Sequence, residues 1–137
     1  MATIEELSKI SSQVRRDIVR MVTAAKSGHP GGSLGITDVM TTLYFNEMKH
    51  DPKTWTRSGK DQDVFILSAG HLAPVLYAEL ARAGYFPAHE LGTLRKFGSR
   101  LQGHPCITDS LPGVFKPSGS LGQGLSVAAG IALGKKM

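Results

Sequence analysis

The sequence predicts an α/β fold, a parallel sheet flanked by helices, of which this chain carries the N-terminal part. Three observations predict it. Val64-Phe65-Ile66-Leu67 is a short uninterrupted apolar run between turn signals, as in a strand buried on both faces. Apolar residues recur at helical spacing on both sides of that run. The chain then finishes at Lys135-Lys136-Met137 just as a helix ends, where an α/β chain would enter its next strand. One strand lacks the ladder partners that its backbone needs, so the sheet is expected to be incomplete within these residues. The span 1–137, with 41% hydrophobic residues, suffices for one compact domain portion and not for two domains.

The first helix is the clearest element. Thr3 and Glu6 form a capping box, and Ile4, Leu7, Ile10, Val14, Ile18, Val22 and Ala25 make an apolar stripe that Gly28 is expected to end. After the loop Gly28-His29-Pro30-Gly31-Gly32-Ser33, a second helix is predicted over about 34–48. It is apolar on most sides and expected to be well buried, with Met40 and Met48 as core filling. Trp55, in the polar connection that follows, is expected to cover the edge of the core. The run 64–67 is the one predicted strand, and a helix over about 72–83 follows it. Its apolar face is Leu72, Val75, Leu76, Leu80 and Ala83, and Gly84 and Pro87 end it. A short helix should carry Leu91, Leu94 and Phe97. From Gly98 to about Ser118 periodicity disappears, and a last helix over about 121–133 is rich in small residues, which suits close packing or approach to a ligand.

Composition narrows the function classes. The formal charge is +5, from 16 basic and 11 acidic residues, but the basic residues are scattered and lack the interleaved aromatics of a nucleic-acid stripe. Such a balance suits phosphorylated small molecules at least as well. No uncharged apolar run is long enough to span a membrane, and Glu5-Glu6 stands where a signal peptide would be basic. The single Cys106 excludes an internal disulfide and fits a reducing cytoplasm, the expected location.

The chemistry lies in the histidines. Three of the five directly follow glycine, as Gly28-His29, Gly70-His71 and Gly103-His104, where chance predicts roughly 0.6 such pairs. Two continue into proline, as Gly28-His29-Pro30 and Gly103-His104-Pro105. Glycine permits a tight turn or a close backbone approach, and proline keeps the preceding histidine out of helix interiors. His71 falls between the predicted strand and a helix start, the place where open α/β sheets bind anionic ligands. A three-histidine zinc site is disfavoured because no His-x-His or His-x-x-x-His pair pre-forms it. The turn at Gly122-Gln123-Gly124 fails as a dinucleotide fingerprint, since Val127 stands where glycine or alanine is needed. His50 and His89 lack the motif context and are expected to be structural.

Taken in order, Ser27-Gly28-His29-Pro30-Gly31, Leu67-Ser68-Ala69-Gly70-His71, Gly103-His104-Pro105 and Ser118-Gly119-Ser120-Leu121-Gly122-Gln123-Gly124 resemble the N-terminal part of the transketolases. These are thiamine diphosphate enzymes of sugar-phosphate metabolism and the pentose phosphate pathway. The resemblance runs from about Leu7 to the C-terminus, and it extends to the split form in which N- and C-terminal sections are separate chains. It implies that His29 lies by the substrate and moves protons on the reacting carbonyl. It implies that His71 contacts the cofactor diphosphate and the donor sugar, and that His104 hydrogen-bonds donor hydroxyls near the scissile bond. Gly119, Ser120 and Leu121 would receive the cofactor's aminopyrimidine. Imidazole, which changes charge between about pH 5 and 8, suits such proton traffic.

The family binds Mg2+ through a Gly-Asp-Gly segment and a downstream Asn, both beyond residue 137, and a Glu of another domain activates the aminopyrimidine. Ser120 stands where the family commonly has proline. The resemblance therefore implies transfer of a two-carbon ketol unit from a ketose phosphate to an aldose phosphate, with the chain inactive alone. The expected partner is a C-terminal transketolase section or second subunit, in a homodimer or heterotetramer. A deoxyxylulose-phosphate synthase or dihydroxyacetone synthase relative, or a non-catalytic fragment serving as an interaction module, stand as alternatives.

Overall fold

Thr3 opens the first helix with both halves of its capping box in place. Its hydroxyl accepts the Glu6 amide at 3.2 Å, and the Glu6 carboxylate accepts the Thr3 amide at 2.8 Å. The computed structural model describes residues 2–107 and 110–137. Helix α1 (Ile4–Ala25) buries Val14, Ile18 and Met21. Its left-handed cap falls on Lys26, at φ 51°, and not on Gly28 as the sequence suggested. Lys26 bears the small cost of that conformation. Gly28, at φ 144°, turns the chain into the next helix, and a Cβ there would stand 3.0 Å from Cγ2 of Val22.

Helix α2 (Pro30–Thr42) starts four residues before the expected position, because Pro30 lacks the amide that a first turn leaves unpaired and has its φ preset. A π-helical turn, Leu43–Glu47, continues it. Its inner side carries Thr37, Met40, Thr41 and Tyr44. Its outer side carries Gly31, Gly35 and the exposed Val39, so the expected burial on most sides is corrected to one face.

After a single 3-10 turn at Gly70–Leu72, helix α3 (Ala73–Arg82) forms the centre of the molecule. Every residue from Ala73 to Ala81 is buried, wider than the single apolar face in the sequence pattern. α1, α2 and α3 pack on one another, and a 3-10 segment, Ala88–Thr93, closes over α1 and α3. Leu91 and Leu94 are buried there, but Phe97 is fully exposed. Arg95, at φ 60°, breaks the helical path before Phe97 can join that face. Trp55 meets Phe115, with ring centroids 5.7 Å apart. Of the irregular stretch expected over 98–118, residues 108 and 109 lie outside the described residues.

The predicted strand is not formed: the described residues contain no strand, and so no parallel sheet. Residues 64–67 are irregular with Leu67 buried, and their start is tied to Lys49 by the Asp63 amide, which donates to the Lys49 carbonyl at 2.8 Å. A strand is defined by its ladder, and none is formed among the described residues. Helix α4 (Gln123–Lys136) buries none of its residues. It is held at one end by Gly124 against Ser68 and at the other by Lys135, which donates to the carbonyls of Gly59 and Gln62.

Candidate active site

Two of the Gly-His pairs sit where helices begin. His29 is the N-cap residue of α2, and His71 lies in the 3-10 turn that leads into α3. Gly32, in the first turn of α2, is pressed against the Leu72 side chain so closely that no Cβ could be fitted without moving it. This interlock brings the two helix starts together, and the rings of His29 and His71 meet edge to face with centroids 5.3 Å apart. Both rings keep access to solvent.

Gly70 makes the next link. A Cβ there would lie 2.5 Å from the Ser118 carbonyl and 2.8 Å from the Gly119 nitrogen, so only glycine lets these backbones touch. The Ser118 amide in turn donates to the Pro105 carbonyl at 3.2 Å, which ties this segment to the loop of His104. A Cβ on Gly119 would stand 3.9 Å from Cδ2 of His104. The three sequence-predicted histidines are thus joined through direct neighbours: His29 to His71, Gly70 to Ser118 and Gly119, and Gly119 to His104.

Beside these contacts is a pocket of about 80 Å³ lined by residues that include Lys116, Ser118, Gly119, Ser120, Gln123 and Gly124. It has room for a group of a few atoms, one end of a ligand. Ser118 Oγ is buried without a hydrogen-bond partner, an unspent donor and acceptor. Gly122, at φ 87°, opens α4 with no side-chain cap, so the first amides of the helix are free to meet an anion. Of the predicted cofactor segment, Gly119 and Ser120 line the pocket, whereas Leu121 is outside its lining and exposed.

Larger depressions lie elsewhere, about 540 Å³ along the loop from Lys49 to Gln62 and about 570 Å³ around Arg95 to Gln102. Both nitrogens of His50 are engaged, Nε2 with the Tyr44 carbonyl at 2.7 Å and Nδ1 with the Tyr85 hydroxyl at 3.0 Å. His89 is exposed. Ser118 and Arg95 carry site features that the sequence pattern does not single out. Ser118 stands inside its motif, but only burial makes its hydroxyl informative; Arg95 reads as one of several scattered charges. Among the described residues no group of three or more His, Cys, Asp or Glu gathers to hold a metal ion, and no helix is long and apolar enough to cross a membrane.

Residues 7–137 match the family model for the transketolase thiamine diphosphate-binding domain. The chain belongs to that family. It is 39% identical over 136 residues to a subunit of the apulose-4-phosphate transketolase of Phocaeicola vulgatus, with 98% of this chain and 46% of that one aligned. It is 40% identical over 129 residues to the transketolase of Pongo abelii, covering 94% of this chain and 20% of the relative. Among solved structures, transketolase from Leishmania mexicana superposes with a TM-score of 0.86 at 34% identity, over 97% of this chain and 19% of that one. The transketolase-domain chain therefore spans about half the length of the Phocaeicola relative and about a fifth of the long transketolases.

Proposed function

We propose that this chain supplies the histidine side of a transketolase active site, which moves a two-carbon ketol unit from a ketose phosphate to an aldose phosphate. The observation that carries the proposal is how the separated Gly-His motifs neighbour one another and the segment 118–120. His29 meets His71 ring to ring, Gly70 lies against Ser118 and Gly119, and His104 stands near Gly119. The residues present suit one end of a thiamine diphosphate cofactor. Ser118 has an unspent buried hydroxyl, Gly119 and Ser120 offer accessible backbone, and α4 offers free amides. When bound, the cofactor supplies the electron sink that lets a carbon–carbon bond beside a carbonyl break.

The chain's own residues do the rest. His29, exposed at a helix start, exchanges a proton with the oxygen of the reacting carbonyl. His71, half-buried beside it, contacts the anionic end of the cofactor and the donor sugar, and its ring holds His29 in orientation. His104, over Gly119, accepts and donates hydrogen bonds to sugar hydroxyls and so fixes the bond to be cleaved. Leu121 is exposed and outside the pocket lining, so it would meet only a part of the cofactor that extends past the pocket. Mg2+ would be held by groups outside these residues. A second chain or further sequence completes the site, in an oligomer acting in the cytoplasm.

The test is ketol transfer from xylulose 5-phosphate to ribose 5-phosphate by the chain combined with the missing transketolase sections. A histidine that acts as a proton carrier contributes about 10²–10⁴-fold, so His29→Ala is expected to lower kcat by that range. His104→Ala removes hydrogen bonds that fix the sugar and is expected to lower turnover through misplacement of the substrate. Unchanged turnover in both variants would remove the proposal. Failure with these sugars but transfer from other ketoses would keep the reaction class and change the substrate.

A further inference from the structure

Arg95 occupies a left-handed backbone position, φ 60°, that an arginine adopts only at some cost. Its amide donates to the Leu101 carbonyl at 2.8 Å, which folds residues 95–101 back on themselves. The side chain then reaches two places at once. Nη1 donates to the Ser27 hydroxyl at 2.8 Å, two residues before His29. On its other side, Nε, Cζ and Nη2 each lie 2.9 Å from the point where a Cβ of Gly103 would stand, one residue before His104. The guanidinium plane thus lies flat on a backbone that only glycine leaves open. The arginines in ion pairs among the described residues are Arg15, Arg20, Arg82 and Arg100, so charge pairing does not account for the placement of Arg95.

We propose that Arg95 is a positioning residue that clamps the His29 loop to the His104 loop, through Ser27 on one side and Gly103 on the other. Planarity matters more than charge: a guanidinium can donate at its edge while stacking on its face, and an ammonium cannot do both. The purpose of the clamp rests on the proposed function of the two histidines, but its existence does not.

The experiment is NMR of the full chain with isotopically labelled histidine, reading all five ring signals in the parent, in Arg95→Lys and in Ser27→Ala. Arg95→Lys is expected to shift the His29 and His104 rings by more than a linewidth and to leave His50 and His89 in place. Ser27→Ala, an exposed change near His29, is expected to shift the distant His104 ring as well. The double variant Ser27→Ala with Arg95→Lys should add nothing to the larger single effect, the mark of a shared contact. The proposal is overturned if Arg95→Lys moves His104 alone, or if Ser27→Ala leaves His104 unmoved. Should Arg95→Lys fail to fold, the Ser27→Ala result decides by itself. No turnover enters these readings, so loss of the clamp and loss of the transketolase proposal are separate outcomes.

Discussion

Glu79 is a carboxyl group inside the hydrophobic centre, with no exposure to solvent. Oε1 accepts the Thr41 hydroxyl at 2.8 Å, and Oε2 has no partner. Burial pushes its pKa from 4.5 up to about 7, only partly opposed by that hydrogen bond. The folded value lies above the unfolded one, so the protonated form is favoured on folding. Stability is full below about pH 4.5 and falls as pH rises through about 7. The size of the shift corresponds to about 3 kcal/mol. Denaturant unfolding at pH 5 and pH 8 should show a loss of that order in the parent, and Glu79→Gln should largely abolish it. An equal fall in the variant would place the titration elsewhere. At Gly70 the expectation is steric. Gly70→Ala forces a Cβ into the Ser118 carbonyl and should cost about 1–3 kcal/mol in a thermal melt.

At the scale of elements, α1 and α4 are opposites. α1 has a closed capping box and a buried stripe, whereas α4 has no cap and leaves Leu125 and Leu133 more than 60% exposed. A helix with so little burial opens easily. Hydrogen exchange should find the amides of α4 far less protected than those of α1, and Lys135→Ala, which removes its two carbonyl contacts, should lower that protection further. Equal protection of both helices would contradict this ranking. The same contrast explains what is legible in the sequence. Thr3 and Glu6 announce a local hydrogen-bond pattern, and Gly-His pairs announce local backbone freedom; both survive in the structure. The start of α2 at Pro30 escapes the sequence pattern because the glycine-rich run looks like loop, although Pro30 is a natural first helical residue. The run 64–67 has the composition of a buried strand, but a strand also needs a ladder partner, and no ladder is formed among the described residues. Phe97 has the right spacing for a helix face, but the turn at Arg95 comes first. Which histidines meet is a tertiary fact set by Gly32 on Leu72 and Gly70 on Ser118, contacts far apart in sequence.

At the scale of the whole molecule, the segment 64–67 and the uncovered α4 meet at Ser68 and Gly124, next to the small pocket that Ser118, Gly119 and Ser120 line. Leu125 and Leu133 of α4 leave apolar surface uncovered there, on a chain that spans about half of its Phocaeicola relative. The proposed division follows: these residues contribute the groups that handle the sugar, and the metal anchor comes from elsewhere. The most direct test is calorimetric titration of thiamine diphosphate, with and without Mg2+, into this chain alone and into the chain combined with the missing transketolase sections. The account predicts no saturable binding by the chain alone and Mg2+-dependent binding by the combination. Tight, Mg2+-dependent binding by these 137 residues alone, or none by the combination, would contradict it.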